Sequence, residues 1–416
     1  MKFELYIARR LRLKNYNGSK QNSPSISIAV IGVALAIVIM MIAIVVVLGF
    51  KHEIRDKVMG FDAQITISNS DYTEKDKSYI TFNDTLKSII NTTIPNGQIS
   101  LSIKQPGILK TDNDFMGIVF KGMDTNYDWK FISDNLISGS IPNYNDENNQ
   151  NKIIISKIIS SSLKLKIGDK IYAYFFENNK IRTRRFEIAA IYETHFGEYD
   201  KLFAFSSLNT LQRLNNIDSI SGNSVEIRNL PISEIENASY NLQDSLIQAC
   251  YTNKLSSLHR VDTVYNTGAL YFNWLDLLDT NVIVILILMS LVSGFTLISS
   301  MFIIILERVN MIGIMKSLGA TNTQIRRIFI YLTERLVIKG ILWGNAIALT
   351  IIFLQSKFKL IPLDPEAYYL NYVPTEINWS YILLLNIGVI IISGLILILP
   401  SHLISTISPA KTIKFE

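Results

Sequence analysis

Four stretches of this chain run almost without a polar position: Ile26–Phe50, Asn281–Leu306, Leu336–Leu354 and Trp379–Leu399. Each is near the ~20 residues of helix that cross ~30 Å of hydrocarbon, so the pattern predicts four transmembrane helices. The third is the least uniform. Lys339 lies inside it, where a long stem can carry the ammonium to the near interface, and Glu334 and Arg335 crowd its start. Glu334 belongs at the interface or against another helix, in a structural role rather than in ion coupling.

Between the first and second stretches the periodicity changes. Short runs at Gln64–Ser68, Gly117–Lys121, Lys152–Ile155, Lys170–Phe176, Arg184–Tyr192 and Ser224–Arg228 carry β-type character, and Leu208–Leu214 and Ile232–Ala249 carry helical character. The predicted fold is a membrane protein of four transmembrane α-helices with a large mixed α/β domain, in two lobes, inserted between helices 1 and 2. The boundaries read as 1–24 (N-terminal amphipathic helix), 25–50 (first span), 51–280 (α/β domain), 281–306 (second span), 307–335 (helix and loop), 336–354 (third span), 355–378 (loop), 379–400 (fourth span) and 401–416 (tail).

A cleaved signal peptide also begins with basic residues before an apolar run, but that run is only about 7–15 residues and ends in small residues. Here it is longer and ends Val-Leu-Gly-Phe-Lys-His, which reads as an uncleaved anchor. Lysine and arginine in short flanks set orientation. Lys2, Arg9, Arg10, Arg12, Lys14 and Lys20 precede the first span. Arg308, Lys316, Arg326, Arg327, Arg335 and Lys339 fall between the second and third spans, and Lys411 and Lys414 follow the fourth. The opposite short loop sets Lys357 and Lys359 against Asp364, Glu366 and Glu376. Both termini and the 307–335 segment are therefore expected in the cytoplasm, and the α/β domain outside. Phe3, Tyr6, Ile7 and Leu11 at helical spacing suit a helix lying on the cytoplasmic lipid surface; a flexible basic tail is the alternative reading.

Composition excludes more than it adds. The chain is 49% hydrophobic with 40 Lys and Arg against 35 Asp and Glu, and the net charge of +5 is dispersed, unlike the basic block of a nucleic-acid binder. The single cysteine, Cys250, rules out an intramolecular disulfide. No Gly-Lys dipeptide occurs, hence no phosphate loop. The four histidines are isolated, and no serine sits in a nucleophile-elbow setting. No catalytic residue, metal site or bound cofactor is expected; if ATP drives this protein, another chain hydrolyses it.

The segment between the second and third spans is the most specific. Met311, Ile314, Met315 and Leu318 recur at i, i+3, i+4 and i+7, an apolar stripe two turns long. Gly319 follows, as a left-handed helix end prefers, and Thr321 with Gln324 has capping-box spacing, so a new helix can start at once and run into the third span. The sequence specifies a short helix, a stop and a restart. The candidate coupling residues are Met311, Ile312, Gly313, Ile314, Met315, Lys316, Leu318 and Gly319. Two readings stay open: a stripe that seats in the groove of a soluble motor, and a helix resting on lipid. Small residues also recur within the spans, Gly32 with Ala36, Ser290 with Gly294 and Gly340 with Gly344. These suit close helix approach in a dimer or within one bundle, although glycine is common in membrane helices generally.

The run Glu307–Phe329, with its Ile-Gly-Ile and Leu-Gly-Ala-Thr, resembles the coupling segment of the FtsX/MacB superfamily of ABC permeases. Ile7-Ala-Arg-Arg-Leu, Gly32-Val-Ala-Leu, Gly49-Phe50 with Glu53, Tyr271-Phe-Asn-Trp-Leu, Ile361-Pro-Leu-Asp-Pro-Glu-Ala-Tyr-Tyr, Val373-Pro-Thr-Glu-Ile-Asn-Trp and Ser408-Pro-Ala-Lys resemble its LolC/LolE lipoprotein-releasing branch. The resemblance implies a MacB/FtsX-type permease in the bacterial inner membrane with a periplasmic domain. It implies a LolD-like ABC ATPase partner that uses ATP and magnesium, and a second permease copy or paralogue. Lipoprotein cargo drawn from membrane lipid and a LolA-like periplasmic chaperone complete the set. The alternative is an FtsX/MacB-like mechanotransmission permease for efflux or cell-division signalling. One departure stands out: relatives of the LolC kind hold their chaperone with a proline-containing loop, whereas Phe176-Glu-Asn-Asn-Lys-Ile-Arg-Thr-Arg is short and has no proline.

Overall fold

The computed structural model describes residues 4, 6, 7, 24–70, 79–177 and 180–406. The Ser408 motif, Lys411 and Lys414, and most of the predicted N-terminal helix, lie outside the described residues. The chain divides into two compact units, one of 1–52, 274–362 and 372–416, the other of 53–273 and 363–371.

The first unit is a helical bundle. Among the described residues four helices are long and apolar enough to span a membrane. They run Pro24–Phe61, Ala269–Leu306, Asn322–Phe358 and Trp379–Ser401, each outlasting its apolar stretch. No break separates 307–335 from the third span: after the short helix Val309–Ser317, one helix continues from Asn322 to Phe358. It ends at Lys359 in the left-handed conformation, φ 48°. Ala29, Val33, Ile37, Met41, Leu297, Met301, Phe329, Val337 and Leu397 build the bundle core. Much of what remains exposed is equally apolar, including Leu291, Phe295, Leu342, Trp343, Leu384 and Leu395. Such a surface is stable only against lipid or another apolar chain.

Among the described residues the second unit is built on twelve strands: β1 Ile65–Asn69, β2 Ile80–Thr81, β3 Gln98–Lys110, β4 Phe115–Met123, β5 Leu136–Gly139, β6 Lys152–Ser156, β7 Lys170–Glu177, β8 Lys180–Tyr192, β9 Phe203–Ser207, β10 Ser221–Gly222, β11 Ser224–Arg228 and β12 His259–Thr263. Ten of them form one mixed sheet in the order β12-β1-β11-β3-β4-β9-β6-β8-β5, with β7 bridging β3 and β8. Most pairs are antiparallel, but β4 with β9 and β6 with β8 are parallel.

One mixed sheet and one cluster of buried hydrophobic residues run through the domain. The reason lies in β3, whose first half pairs with β11 at 98–102 and whose second half pairs with β7 at 108–110, while β4 follows its whole length from 102 onward. Pro106 falls in the interval where β3 has β4 as its only strand neighbour, so its missing N–H costs no ladder bond. In the same interval Asn223 stands in for a strand, accepting from the Lys104 amide at 3.0 Å and donating to its carbonyl at 2.9 Å. Helices Asp84–Thr93 and Ile235–Tyr251 bury Leu86, Ile90, Leu242 and Leu246 in the core.

Candidate functional site

The short helix Val309–Ser317 is ended by what its sequence supplies after its last turn. Its C-terminus closes as a Schellman motif. Gly319 takes φ 93°, its amide bonds Lys316 O at 3.0 Å, and the Ala320 amide bonds Met315 O at 3.0 Å. The following helix opens on the capping box, with the Gln324 amide donating to Thr321 Oγ1 at 3.3 Å and the Thr321 amide donating to Gln324 Oε1 at 2.9 Å.

The stripe of Met311, Ile314, Met315 and Leu318 does not face one way. Ile312 and Gly313 are buried, and Met311 and Met315 pack half-buried against the bundle core. Ile314 is 56% exposed and Leu318 83% exposed. The helix is thus nailed down by Ile312 and presents Ile314 and Leu318 outward. Beside them Ile7, Met315, Leu318, Gly319, Ala320 and Gln324 line an open groove. Lys316 is turned back to the chain, donating to Ile404 O at 2.7 Å, and Arg326 donates to Ser405 Oγ at 3.0 Å. The C-terminal end of the bundle therefore braces this helix.

The small residues of the spans meet neighbours within the same chain. A Cβ on Gly340 would lie 2.7 Å from Val33 Cβ, and one on Gly344 2.7 Å from Ile37 Cβ and 2.9 Å from Ala34 O, so the third helix crosses the first on these glycines. Gly32 leaves room for Thr296 of the second helix, and Gly294 for Ile396 of the fourth. Ser290, Ser293 and Ser393 line a narrow crevice with Met40 and Gly294. Glu334 lies against the fourth helix, accepting from Ser393 Oγ at 3.0 Å.

A second constellation escaped the sequence pattern. In the outer unit the last turn of the first long helix leaves its carbonyls without helical donors, and two buried cations supply them. Lys121 Nζ donates to Phe61 O at 2.6 Å, and Arg228 donates to Met59 O at 2.6 Å. Glu226 neutralises both, at 2.9 Å from Lys121 and 3.1 Å from Arg228, and takes a further bond from Ser102 Oγ. Burial alone would raise the Glu226 carboxyl, but Lys121, Arg228 and Lys104 outweigh it and hold it at about 2. Next to this group Asp62 pairs with Lys104 at 2.8 Å and accepts from Tyr199 at 2.6 Å. These residues are dispersed over the helix end, β3, β4, β11 and one short helix. Alternation on β4 gave no hint of them: it sets Lys121 on the face opposite Phe120 and Gly122, and at this end of the strand both faces are buried. The arrangement fixes a helix end to a sheet.

Strands β7 and β8 pair up to Glu177 with Lys180, which leaves a two-residue connection outside the described residues. Phe176 and Ile181 stand exposed near it.

Residues 283–409 match the FtsX-like permease C-terminal family. The lipoprotein-releasing system transmembrane protein LolC of Xylella fastidiosa (strain Temecula1) is 20% identical over 387 residues, covering 89% of each chain. LolC of Neisseria meningitidis serogroup B is 22% identical over 392 residues with the same coverage. LolE of Haemophilus influenzae is 24% identical over 147 residues, 33% of this chain and 35% of its own. Among solved structures, the periplasmic region of MacB from Actinobacillus actinomycetemcomitans aligns at 12% identity and a TM-score of 0.34, over 52% of this chain and 97% of its own. The extracellular domain of the ABC-type transporter YknZ aligns at 11% and 0.34, over 48% and 99%. Over 89% of its length the chain resembles permeases of the LolC/LolE type, and it carries an FtsX-like permease C-terminal domain at residues 283–409.

Proposed function

We propose that this chain is the permease subunit of an ATP-driven lipoprotein-releasing transporter. It sits in the bacterial inner membrane with both termini in the cytoplasm and the α/β domain in the periplasm. A separate ABC ATPase, using ATP and magnesium, docks on the helix Val309–Ser317. A second permease, a copy or a paralogue, covers part of the apolar bundle surface. Lipoproteins drawn from the membrane pass by way of the outward domain to a periplasmic chaperone.

The observation that carries this reading is the split of the short helix into a buried nail and an exposed pair. Ile312 is fully buried while Ile314 and Leu318 lie open, Leu318 lining a groove. A helix built only to rest on lipid has no need of a Schellman stop and a capping box that fix its direction. The basic flanks at 308–339 and in the N-terminal segment support the orientation, and the likeness to LolC proteins over 89% of the chain supports the cargo.

The test joins two measurements. Leu318→Asp in the full complex should abolish co-purification of the ATPase while the chain still inserts. Burying an unpaired carboxylate and losing a leucine contact costs an interface at least ~2 kcal/mol, about a thirtyfold loss of affinity. Depleting the protein should leave lipoproteins in the inner-membrane fraction. Retention of the ATPase by Leu318→Asp refutes the docking assignment, and unchanged lipoprotein sorting refutes the release function.

A further inference from the structure

The segment 363–371, between the third and fourth long helices in sequence, belongs to the outer unit rather than to the bundle. It is a compact knot. The Leu363 amide bonds Asn371 O at 2.9 Å, Asp364 caps the single turn Pro365–Tyr368 by accepting from the Glu366 amide at 3.0 Å, and Tyr369 ends the turn in the left-handed region, φ 61°. A non-glycine residue there costs ~1–2 kcal/mol and persists where the surroundings hold it.

Three things hold it. Lys57, near the end of the first long helix, bridges two backbone carbonyls, donating to Thr194 O at 2.6 Å and to Tyr369 O at 2.8 Å. The Tyr369 ring meets Phe196 and Tyr271 edge-on, with centroids 5.1 and 5.6 Å away. Leu370 is buried. Most of the remaining side chains, Asp364, Glu366, Ala367, Tyr368 and Asn371, are exposed.

The contrast with the other attachment of the first helix is one of degree. Met59 and Phe61 are gripped by a fully buried lysine and a largely buried arginine that a carboxylate neutralises. Segment 363–371 is gripped by one half-buried ammonium, two ring edges and a leucine.

We propose that residues 363–371 form a releasable latch on the outer domain and that Lys57 is its catch. Closed, the latch gives the domain two chain connections beyond those to the first and second helices, namely Pro362 to the third and Tyr372 to the fourth. Open, the domain is tethered through the first two helices alone. Lys57 is a positioning residue: it acts through the carbonyls it holds.

The catch is tested on the full-length permease in lipid nanodiscs by amide hydrogen exchange. Lys57→Met, which keeps the stem and removes the donors, should raise exchange in the peptide covering 363–373 at least tenfold and leave β3 and β4 unchanged. Lys57→Arg, which keeps paired donors, should restore most of the protection. Unchanged exchange with Lys57→Met overturns the catch, and faster exchange spreading through the sheet makes Lys57 a folding residue instead. The release is tested on the wild-type complex with its ATPase, where ATP should raise exchange of 363–373; equal protection with and without nucleotide overturns it. That second arm rests on the proposed transporter function, which the Leu318→Asp experiment tests separately, whereas the Lys57 arm needs no partner.

Discussion

Replacing Lys121 with methionine tests whether the end of the first long helix is locked to the sheet by charge. Lys121 and Glu226 are 0% and 1% exposed, so the substitution strips a buried carboxylate of its closest counter-ion and leaves Phe61 O only the longer 3.4 Å bond from Arg228. Breaking a buried pair by removing one partner costs ~3–5 kcal/mol. Arg228 still meets one oxygen of Glu226, at 3.1 Å, and Ser102 donates to the other, so the lower end applies. A domain of this size loses ~2–4 °C per kcal/mol, which puts the shift at about 6–12 °C. The assay is thermal unfolding of the full chain in nanodiscs, followed by near-ultraviolet circular dichroism and by protease cleavage between residues 98 and 228. The companion variant Lys121→Met with Glu226→Met removes the pair at similar volume and should recover part of the loss, because the uncompensated carboxylate is gone while Arg228 keeps the Met59 and Phe61 carbonyls. A single variant melting within 2 °C of wild type, or a double variant no better than the single, would refute the charge-lock reasoning.

Other consequences are as direct. Ile312→Ala removes a fully buried side chain and should cost ~2–5 kcal/mol, read as lower yield of folded protein, whereas Leu318→Ala should stay within about 0.5 kcal/mol and affect ATPase binding alone. Gly344→Val places a Cβ against Ile37 and the Ala34 carbonyl and should cost ~1–3 kcal/mol by overpacking, measured as a lower melting temperature of the bundle; Gly388→Ala, which meets open space, serves as the neutral control. Glu226, held at about 2 against an ordinary value of 4.5, contributes stability that is fully present above pH 4.5 and lost as pH falls towards 2; Glu226→Gln should flatten that part of the stability profile. Thr321→Ala removes one side of the capping box and should cost ~1 kcal/mol, seen as faster amide exchange at 322–325.

The LolC likeness leaves one difference in view. Where such relatives are expected to carry a proline loop, this chain pairs β7 and β8 up to a two-residue connection. A chaperone would meet a short hairpin with Phe176 and Ile181 exposed beside it, and deletion of that hairpin tip is the natural probe of whether cargo transfer uses it.

The sequence by itself determined the four spans, because length and apolarity are local properties that no tertiary contact can supply. It also determined the stop and restart around Gly319 and Thr321, since a left-handed residue and a capping box act within one turn of chain. Tertiary structure decided the rest. The stripe on the short helix was legible, but which of its faces is buried was not: periodicity gives relative angle, and only the bundle core shows that Ile312 points in and Leu318 out. Strand β3 was hidden because Pro106 reads as a strand breaker until its neighbours are known, and β9 because all five of its residues are buried and it shows no alternation. The Lys121–Glu226–Arg228 lock and the Lys57 catch were invisible for a related reason. Each joins residues separated by 60 positions or more through bonds to backbone carbonyls, and a carbonyl leaves no mark in the sequence.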